Sequence, residues 1–165
     1  MKSFISVVTT VNETVGRICS FIILPMVSII LLELLLRALL NHPTNWVHEL
    51  SGYFLAAYCM LGGGYALLHK AHVNVDILYA RFSPRRKSII SLFTWMLFFY
   101  FFIVVIWRTG EASLFSIKIW ERSTSIWGPL FWPVKLLIPV GSILLLMQGI
   151  SQFLEDLLFA IRGGK

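Results

Sequence analysis

The sequence predicts an all-α membrane protein with four transmembrane helices, and three observations support that prediction. First, 58% of the 165 residues are hydrophobic and 13% are charged, a balance that cannot supply the polar shell of a soluble domain. Second, mostly uncharged runs recur whose length is close to the roughly 20 helical residues that cross a bilayer. Third, basic residues cluster in one short connection, as they do on the cytoplasmic side of membrane proteins.

We interpret residues 1–165 as one membrane domain whose approximate spans are 18–40, 47–69, 88–107 and 133–154. The first span is the least apolar of the four, because it carries Glu33 and Arg37 near its end. Its apolar core is too long for a cleaved signal peptide, and charged residues and bulky leucines follow it instead of a small-residue cleavage site. We therefore expect an uncleaved first helix.

The distribution of lysine and arginine predicts the orientation of the spans. The connection between the second and third spans is the most basic, and basic residues near span ends are held in the cytoplasm. Nine basic residues fall on that side and five on the other, so both termini are predicted to be cytoplasmic. The net charge of +6 then reflects topology and attraction to anionic lipid, and no basic run with interleaved aromatics suggests a nucleic-acid partner.

The connection between the third and fourth spans predicts an amphipathic helix over 108–126. Apolar residues recur there at nearly helical spacing and charged residues occupy other positions, a pattern typical of a helix lying in the headgroup plane. The tryptophans at its end suit that depth. Two interpretations stay open: a lipid-surface helix without a partner, or a docking site for another protein. The residues are Ala112, Phe115, Ile119, Trp120, Trp127 and Trp132, with Arg108, Glu111, Lys118, Glu121 and Arg122 as the charged set.

Small residues on one face of the second span predict a site of close helix packing. Such residues let two helix backbones approach in lipid, and two further glycines, Gly62 and Gly64, suggest more than one neighbour. The face comprises Gly52, Ala56, Cys59, Gly63 and Ala66. The other cysteine, Cys19, is predicted at a different depth from Cys59, so no disulfide is expected.

Polar residues in or beside the spans are the candidates for chemistry, since ionisable groups in lipid are costly. Glu33 and Arg37 are four residues apart and predict an internal ion pair; the alternative is a proton-coupling glutamate of a small exporter. His69, His72 and Asp76 could share a helix face, but three ligands at this spacing indicate a hydrogen-bonded cluster more strongly than a metal site.

A haem-anchoring subunit would need two histidines at similar depth on facing helices. His42 and His48 are predicted on one side of the membrane and the remaining two histidines on the other, so this chain alone supplies no pair. No nucleophile, base and orienting group stand at a recognisable spacing either. We predict no enzyme, no catalytic residue, no bound cofactor and no metal.

A resemblance to a known family then emerges from the second span and its borders. Trp46 and Glu49 precede it, glycines including Gly63 lie within it, and His72-Val-Asn-Val-Asp76 follows it. This pattern resembles the signature of the small membrane subunit, the DctQ type, of tripartite ATP-independent periplasmic (TRAP) transporters. The stretch 125–141 is also similar to a subgroup of these subunits. The resemblance extends over nearly the whole chain.

The resemblance implies a scaffold and docking subunit in the bacterial inner membrane. Its expected partners are a large membrane subunit that moves a small organic anion (a carboxylate or sulfonate) with sodium ions, a periplasmic binding protein and membrane lipid. The sodium sites are expected in the large subunit. Trp46, Glu49, His72 and Asp76 would fix the second span between the two interfaces. Candidate docking residues are Arg37, Arg108, Glu111, Lys118, Trp120, Glu121, Arg122 and Trp127.

Overall fold

The computed structural model describes residues 2–69 and 84–161, and these residues form five α-helices and no β-sheet. The helices are α1 (Lys2–Ser20), α2 (Ile23–Leu40), α3 (Val47–Leu68), α4 (Pro84–Lys118) and α5 (Trp132–Ile161). The loop 119–131 joins α4 to α5 and is closed by an isolated antiparallel bridge between Arg122 and Leu130. The packing is centred on α3 and α5, which contact each other, while α1 contacts both of them.

Three helical stretches of the described residues are long and apolar enough to cross a membrane. They are Ser3–Leu40, which joins α1 and α2, Phe93–Lys118 in α4 and Trp132–Glu155 in α5. The predicted second span corresponds to the 22-residue α3, which is not among them; its glycines and tyrosines make it less apolar. The all-helical membrane class is confirmed, and the number of four spans stays a prediction.

The beginning of the first span differs from the prediction. The helical chain starts at Lys2 rather than at 18, and α1 ends where Phe21 and Ile22 separate it from α2. Pro25 accounts for the break, because it has no N–H to donate to the Phe21 carbonyl. That carbonyl accepts instead from the Leu24 N–H at 3.2 Å, a tighter turn of three residues. The alternating polar and apolar residues of α1 obscured it in the hydropathy pattern.

Helix α4 has no break where we predicted the boundary between a third span and an interfacial helix over 108–126, and the interfacial helix stays a prediction. Helix α4 continues without interruption to Lys118 and is 35 residues long, about 52 Å at 1.5 Å per residue. Its last turns bury Ser113 and Ser116 and expose Phe115 and Ile119. The two serines of this segment therefore pack against protein, whereas Arg108, Glu111 and Lys118 are exposed.

Close contacts between α3 and α5 depend on glycine. A Cβ added to Gly141 of α5 would lie 2.6 Å from the carbonyl carbon of Met60, and one added to Gly63 would lie 2.9 Å from Leu145 Cδ1. At Gly141 the opposing backbone would have to move, whereas at Gly63 the end of the Leu145 side chain could shift. Helix α4 packs on α5 in the same way, since a Cβ on Gly149 would lie 2.8 Å from Phe98 Cζ. These contacts bring the helix backbones together, as small residues do in lipid.

Candidate functional site

The predicted small-residue face of α3 divides between packing and an open surface. Gly63 packs on α5, whereas Gly52 is exposed and has no atom within 4 Å of an added Cβ. Cys59, Ala66 and Gly62 line a pocket of about 360 Å³ between α3 and α1, and Ala56 is half-buried. The closest approach instead involves Gly64, a buried neighbour that has no room for a side chain against Asn12.

The two cysteines lie nearer to each other than the sequence suggested. Cys19 and Cys59 are free thiols that line this same pocket. Our expectation of different depths was wrong, because it assumed that the first helix begins next to Cys19. With α1 starting at Lys2, Cys19 lies at the end of a 19-residue helix and reaches the middle of α3.

Glu33 and Arg37 of α2 are brought together, at 2.9 Å between Oε1 and Nη2. The same carboxylate also receives two bonds from Thr44, from its backbone N–H at 3.0 Å and from its hydroxyl. Glu33 therefore ties the end of α2 to the connection that leads into α3. A carboxylate with three partners of this kind fits an internal structural pair, in contrast to the free carboxylate that a proton-coupled exporter would require.

Trp46 and Glu49 lie at the beginning of α3, at the end of the bundle that also contains the loop 119–131; we call this the loop end. Trp46 is half-buried and its carbonyl accepts the Leu50 N–H at 2.9 Å. Glu49 Oε2 accepts a hydrogen bond from the Ser125 hydroxyl at 2.5 Å. The carboxylate thus connects the first turn of α3 to the loop.

The candidate docking residues are mostly exposed at the loop end. Exposed side chains are those of Arg37, Arg108, Glu111, Lys118, Trp120, Arg122 and Trp127. Four of them also have partners within the chain. Arg37 pairs with Glu33, and Arg122 Nη1 donates to the Gly128 carbonyl at 3.5 Å. Trp107 Nε1 donates to Glu111 at 2.7 Å, and the rings of Trp120 and Trp132 meet edge to face at 6.5 Å. The remaining charges are positioned to meet a partner or lipid headgroups.

Glu121 is the exception among the docking candidates, because its carboxylate is used within the chain. Lys135 Nζ lies 2.6 Å from its Oε2, and the buried Ser116 hydroxyl donates to the same oxygen. The Lys135 ammonium and then the Ser116 hydroxyl hold the pKa of the Glu121 carboxyl below its usual value. Glu121 therefore fastens the loop 119–131 between α4 and α5.

The sequence analysis missed the polar residues that hold α1 against the bundle. Asn12 is buried, and its Nδ2 donates to Gln148 Oε1 at 3.2 Å and to the Val8 carbonyl at 3.1 Å. Gln152 Nε2 donates to the Leu67 carbonyl at 2.7 Å, so α5 is also hydrogen-bonded to the end of α3. Gln148 and Gln152 inside the predicted fourth span were the available signal, since amides in lipid require partners.

One member of the predicted histidine cluster has a partner on α1. His69 Nε2 lies 2.9 Å from Glu13 Oε2, and the His69 ring packs against Tyr65 with 4.3 Å between ring centroids. His72 and Asp76 lie outside the described residues. Within the described ranges, no group of three or more His, Cys, Asp and Glu residues could hold a metal ion.

These observations define an all-helical integral membrane protein whose described polar side chains fasten helices to one another. Comparison with protein families then identifies the group. The family model for tripartite ATP-independent periplasmic transporters, DctQ component, matches residues 26–159, most of the chain. The chain belongs to this family, so it is the small membrane component of a TRAP transporter, and the family is one of transporter components rather than enzymes. A search of curated proteins finds no match to the chain.

Proposed function

We propose that this chain is the non-translocating scaffold of a sodium-coupled TRAP transporter that imports a small organic anion, a carboxylate or a sulfonate. In this proposal it crosses the bacterial inner membrane four times with both termini in the cytoplasm. It packs against the large membrane subunit, which moves the anion and binds sodium. A periplasmic binding protein delivers the anion to the loop end.

The unequal burial of the helices is the observation that carries the scaffold proposal. Helix α2 buries no residue, and the apolar window of α4 is likewise unburied. Two long apolar helices therefore present their faces outward, where only lipid or another membrane protein can cover them. The large subunit supplies such a surface, so adding this chain enlarges the immobile part of the complex.

The polar residues described above support the assignment of translocation to the other subunit. Asn12, Glu33 and Glu121 each have partners from neighbouring segments. Transport sites are usually formed by paired, interrupted helices whose unwound backbone contacts the cargo. The interruption between α1 and α2 consists of Phe21 and Ile22, both apolar, and the Ser20 hydroxyl before it donates to the Arg17 carbonyl of its own helix.

Co-purification and reconstitution test this proposal. The tagged chain, extracted gently, should bring with it a large polytopic membrane protein, and uptake in proteoliposomes should require this chain, that protein, a periplasmic binding protein and a sodium gradient. Transport by the chain alone that Glu33→Gln abolishes would instead indicate an exporter. A haem spectrum with a co-purifying redox protein would indicate a respiratory anchor.

The docking part of the proposal has its own test. Arg108→Glu or Lys118→Glu should slow binding-protein-dependent uptake, by about tenfold if the charge steers association, while leaving the membrane complex assembled. Glu155→Lys, a charge reversal at the opposite end of the bundle, is the control and should leave uptake unchanged. Normal uptake in both loop-end variants would contradict docking at this surface.

A further inference from the structure

A pocket of about 490 Å³ opens at the loop end, between the first turns of α3 and α5 and the loop 119–131. The pocket is lined by polar side chains on one part and by apolar side chains on another. Phe131 and Val134 form much of the apolar wall, and the polar residues are Asn45, His48, Glu49, Tyr53 and Ser125. The pocket is separate from the polar contacts that fasten α1, and nothing in the proposed transport function uses it.

Glu49 brings an uncompensated negative charge to this pocket. Its side chain is half-buried and accepts a hydrogen bond from Ser125, yet no described Lys, Arg or His lies within 4.0 Å of it. Glu13, Glu33 and Glu121, by contrast, each have a cationic atom at 2.6–2.9 Å. Holding a carboxylate partly out of water without a neighbouring cation costs free energy. A cationic group from outside the described residues would therefore stabilise Glu49.

Tyr53 provides a second unsatisfied group on the same face of α3, one turn further along the helix. Its hydroxyl is buried and has no hydrogen-bond partner among the described residues. The ring lies beside Phe131, with 6.2 Å between ring centroids, and it lines the pocket. A buried hydroxyl without a partner loses free energy, and a ligand that carries an acceptor oxygen would satisfy it.

The tryptophans at the loop end place this pocket at headgroup depth. Trp46 lies one turn before Glu49, and Trp127 and Trp132 belong to the loop and the start of α5. Indole rings prefer the interface between hydrocarbon and water. A group bound by Glu49 and Tyr53 therefore lies where phospholipid headgroups are found, on whichever side of the membrane this end faces.

We propose that this pocket binds the headgroup of an ethanolamine phospholipid. Its primary ammonium donates N–H bonds to Glu49, the Tyr53 hydroxyl donates to a phosphate oxygen, and Phe131 and Val134 contact the glycerol and the first methylenes. A lysine of a protein partner offers the same ammonium but neither the phosphate acceptor for Tyr53 nor the acyl carbons for the apolar wall. The lipid matches all three features of the lining.

Native mass spectrometry of the full chain, after delipidation and incubation with defined lipids, tests the proposal. The wild-type chain should retain phosphatidylethanolamine about tenfold better than phosphatidylglycerol or phosphatidylcholine, one lost charge-assisted interaction being worth about that factor. Phosphatidylglycerol has no amine, and the choline ammonium has no N–H to donate. Glu49→Gln, which still accepts from Ser125, should abolish the preference. Glu111→Gln, an exposed carboxylate at the same end, is the matched control and should keep it.

Three results would overturn the proposal: no preference in the wild type, the same preference in Glu49→Gln, or an equal loss in Glu111→Gln. If Glu49→Gln instead released a periplasmic protein while the lipid preference persisted, the cation at Glu49 would be a protein side chain. If Glu49→Gln fails to fold, the Tyr53→Phe variant tests the proposal instead. It should lower retention of phosphatidylethanolamine, and unchanged retention would contradict the assigned phosphate contact.

Discussion

Helices α2 and α5 are both candidate parts of membrane spans, yet only α5 is buried. Our expectation that the first span is the least apolar was wrong, because its uncharged leucine and isoleucine runs outweigh Glu33 and Arg37. Helix α2 belongs to the most apolar window among the candidate spans of the described residues and buries none of its residues. Helix α5 is less apolar, and its buried positions include Gly141, Ser142, Gln148 and Ser151. The helix with the smaller and more polar side chains is therefore the one around which the others pack.

This contrast follows from the solvent that surrounds the protein. Lipid tails are as apolar as leucine, so burying leucine against another helix gains little. Burying glycine allows close contact between helix backbones. Burying serine, asparagine or glutamine allows hydrogen bonds that lipid cannot provide. In a water-soluble bundle the order would be reversed, with α2 buried and the polar face of α5 exposed.

The largest expected effect comes from filling the contact between α3 and α5. Gly141→Leu places a side chain against the Met60 backbone, which cannot yield as a flexible side chain would. We expect a loss of about 3 kcal/mol in the free energy of unfolding, the upper part of the range for overpacking. Thermal unfolding of the purified chain in detergent measures it.

The control for that variant is Gly110→Leu in α4, where an added Cβ meets no atom within 4 Å. It should unfold within a few degrees of the wild type. Equal destabilisation by the two substitutions would show that the closeness of α3 and α5 at Gly141 does not determine stability.

The polar contact between α1 and α5 predicts a smaller effect. Replacing Asn12 or Gln148 by Ala should each destabilise the chain, and the double variant should lose less than their sum. The coupling energy should be about 0.6–1.7 kcal/mol, as for hydrogen bonds between helices in membranes. Ser28→Ala on α2 is the control, because its hydroxyl bonds only the Leu24 carbonyl of its own helix. A coupling energy of zero would contradict a role for this amide pair in docking α1.

The smallest effect is expected for the exposed face of α2. Leu34, 60% exposed, should tolerate Ala with a change within about 0.5 kcal/mol in the isolated chain. The same substitution at Leu145 of α5, 9% exposed, should cost about 2 kcal/mol, the lower end of the range for a leucine that leaves a cavity. Chemical unfolding in mixed micelles compares them. If Leu34→Ala proved as costly as Leu145→Ala, burial within the chain would not determine the cost of the substitution, and the contrast between the two helices would disappear.

Much of the predicted fold could be inferred from hydropathy, and the corrections have one common cause. The positions of α3 and α5 were predicted to within a few residues at their starts, because apolar runs flanked by tryptophan mark them clearly. The start of α1 and the continuation of α4 to Lys118 were missed, since both segments mix polar and apolar residues. Such a mixture looks the same whether the polar face meets water or another helix.

The contacts of the candidate site also differ in whether the sequence could predict them. The spacing of Glu33 and Arg37 sufficed to suggest their pairing, because a helix places residues four apart on one face. The contacts of Glu49 with Ser125 and of Asn12 with Gln148 join residues 76 and 136 positions apart. Local spacing carries no information about such pairs.

The sequence by itself determined the membrane class and the family, because apolar composition selects the solvent of the protein and a short polar signature borders the second span. Only the tertiary structure decided which helices are buried, where Glu49 finds its partner and which pocket Tyr53 faces. The physical reason is that in lipid the apolar side chains of any helix can face outward at little cost. Burial then depends on whether the small and polar residues of two distant segments fit each other.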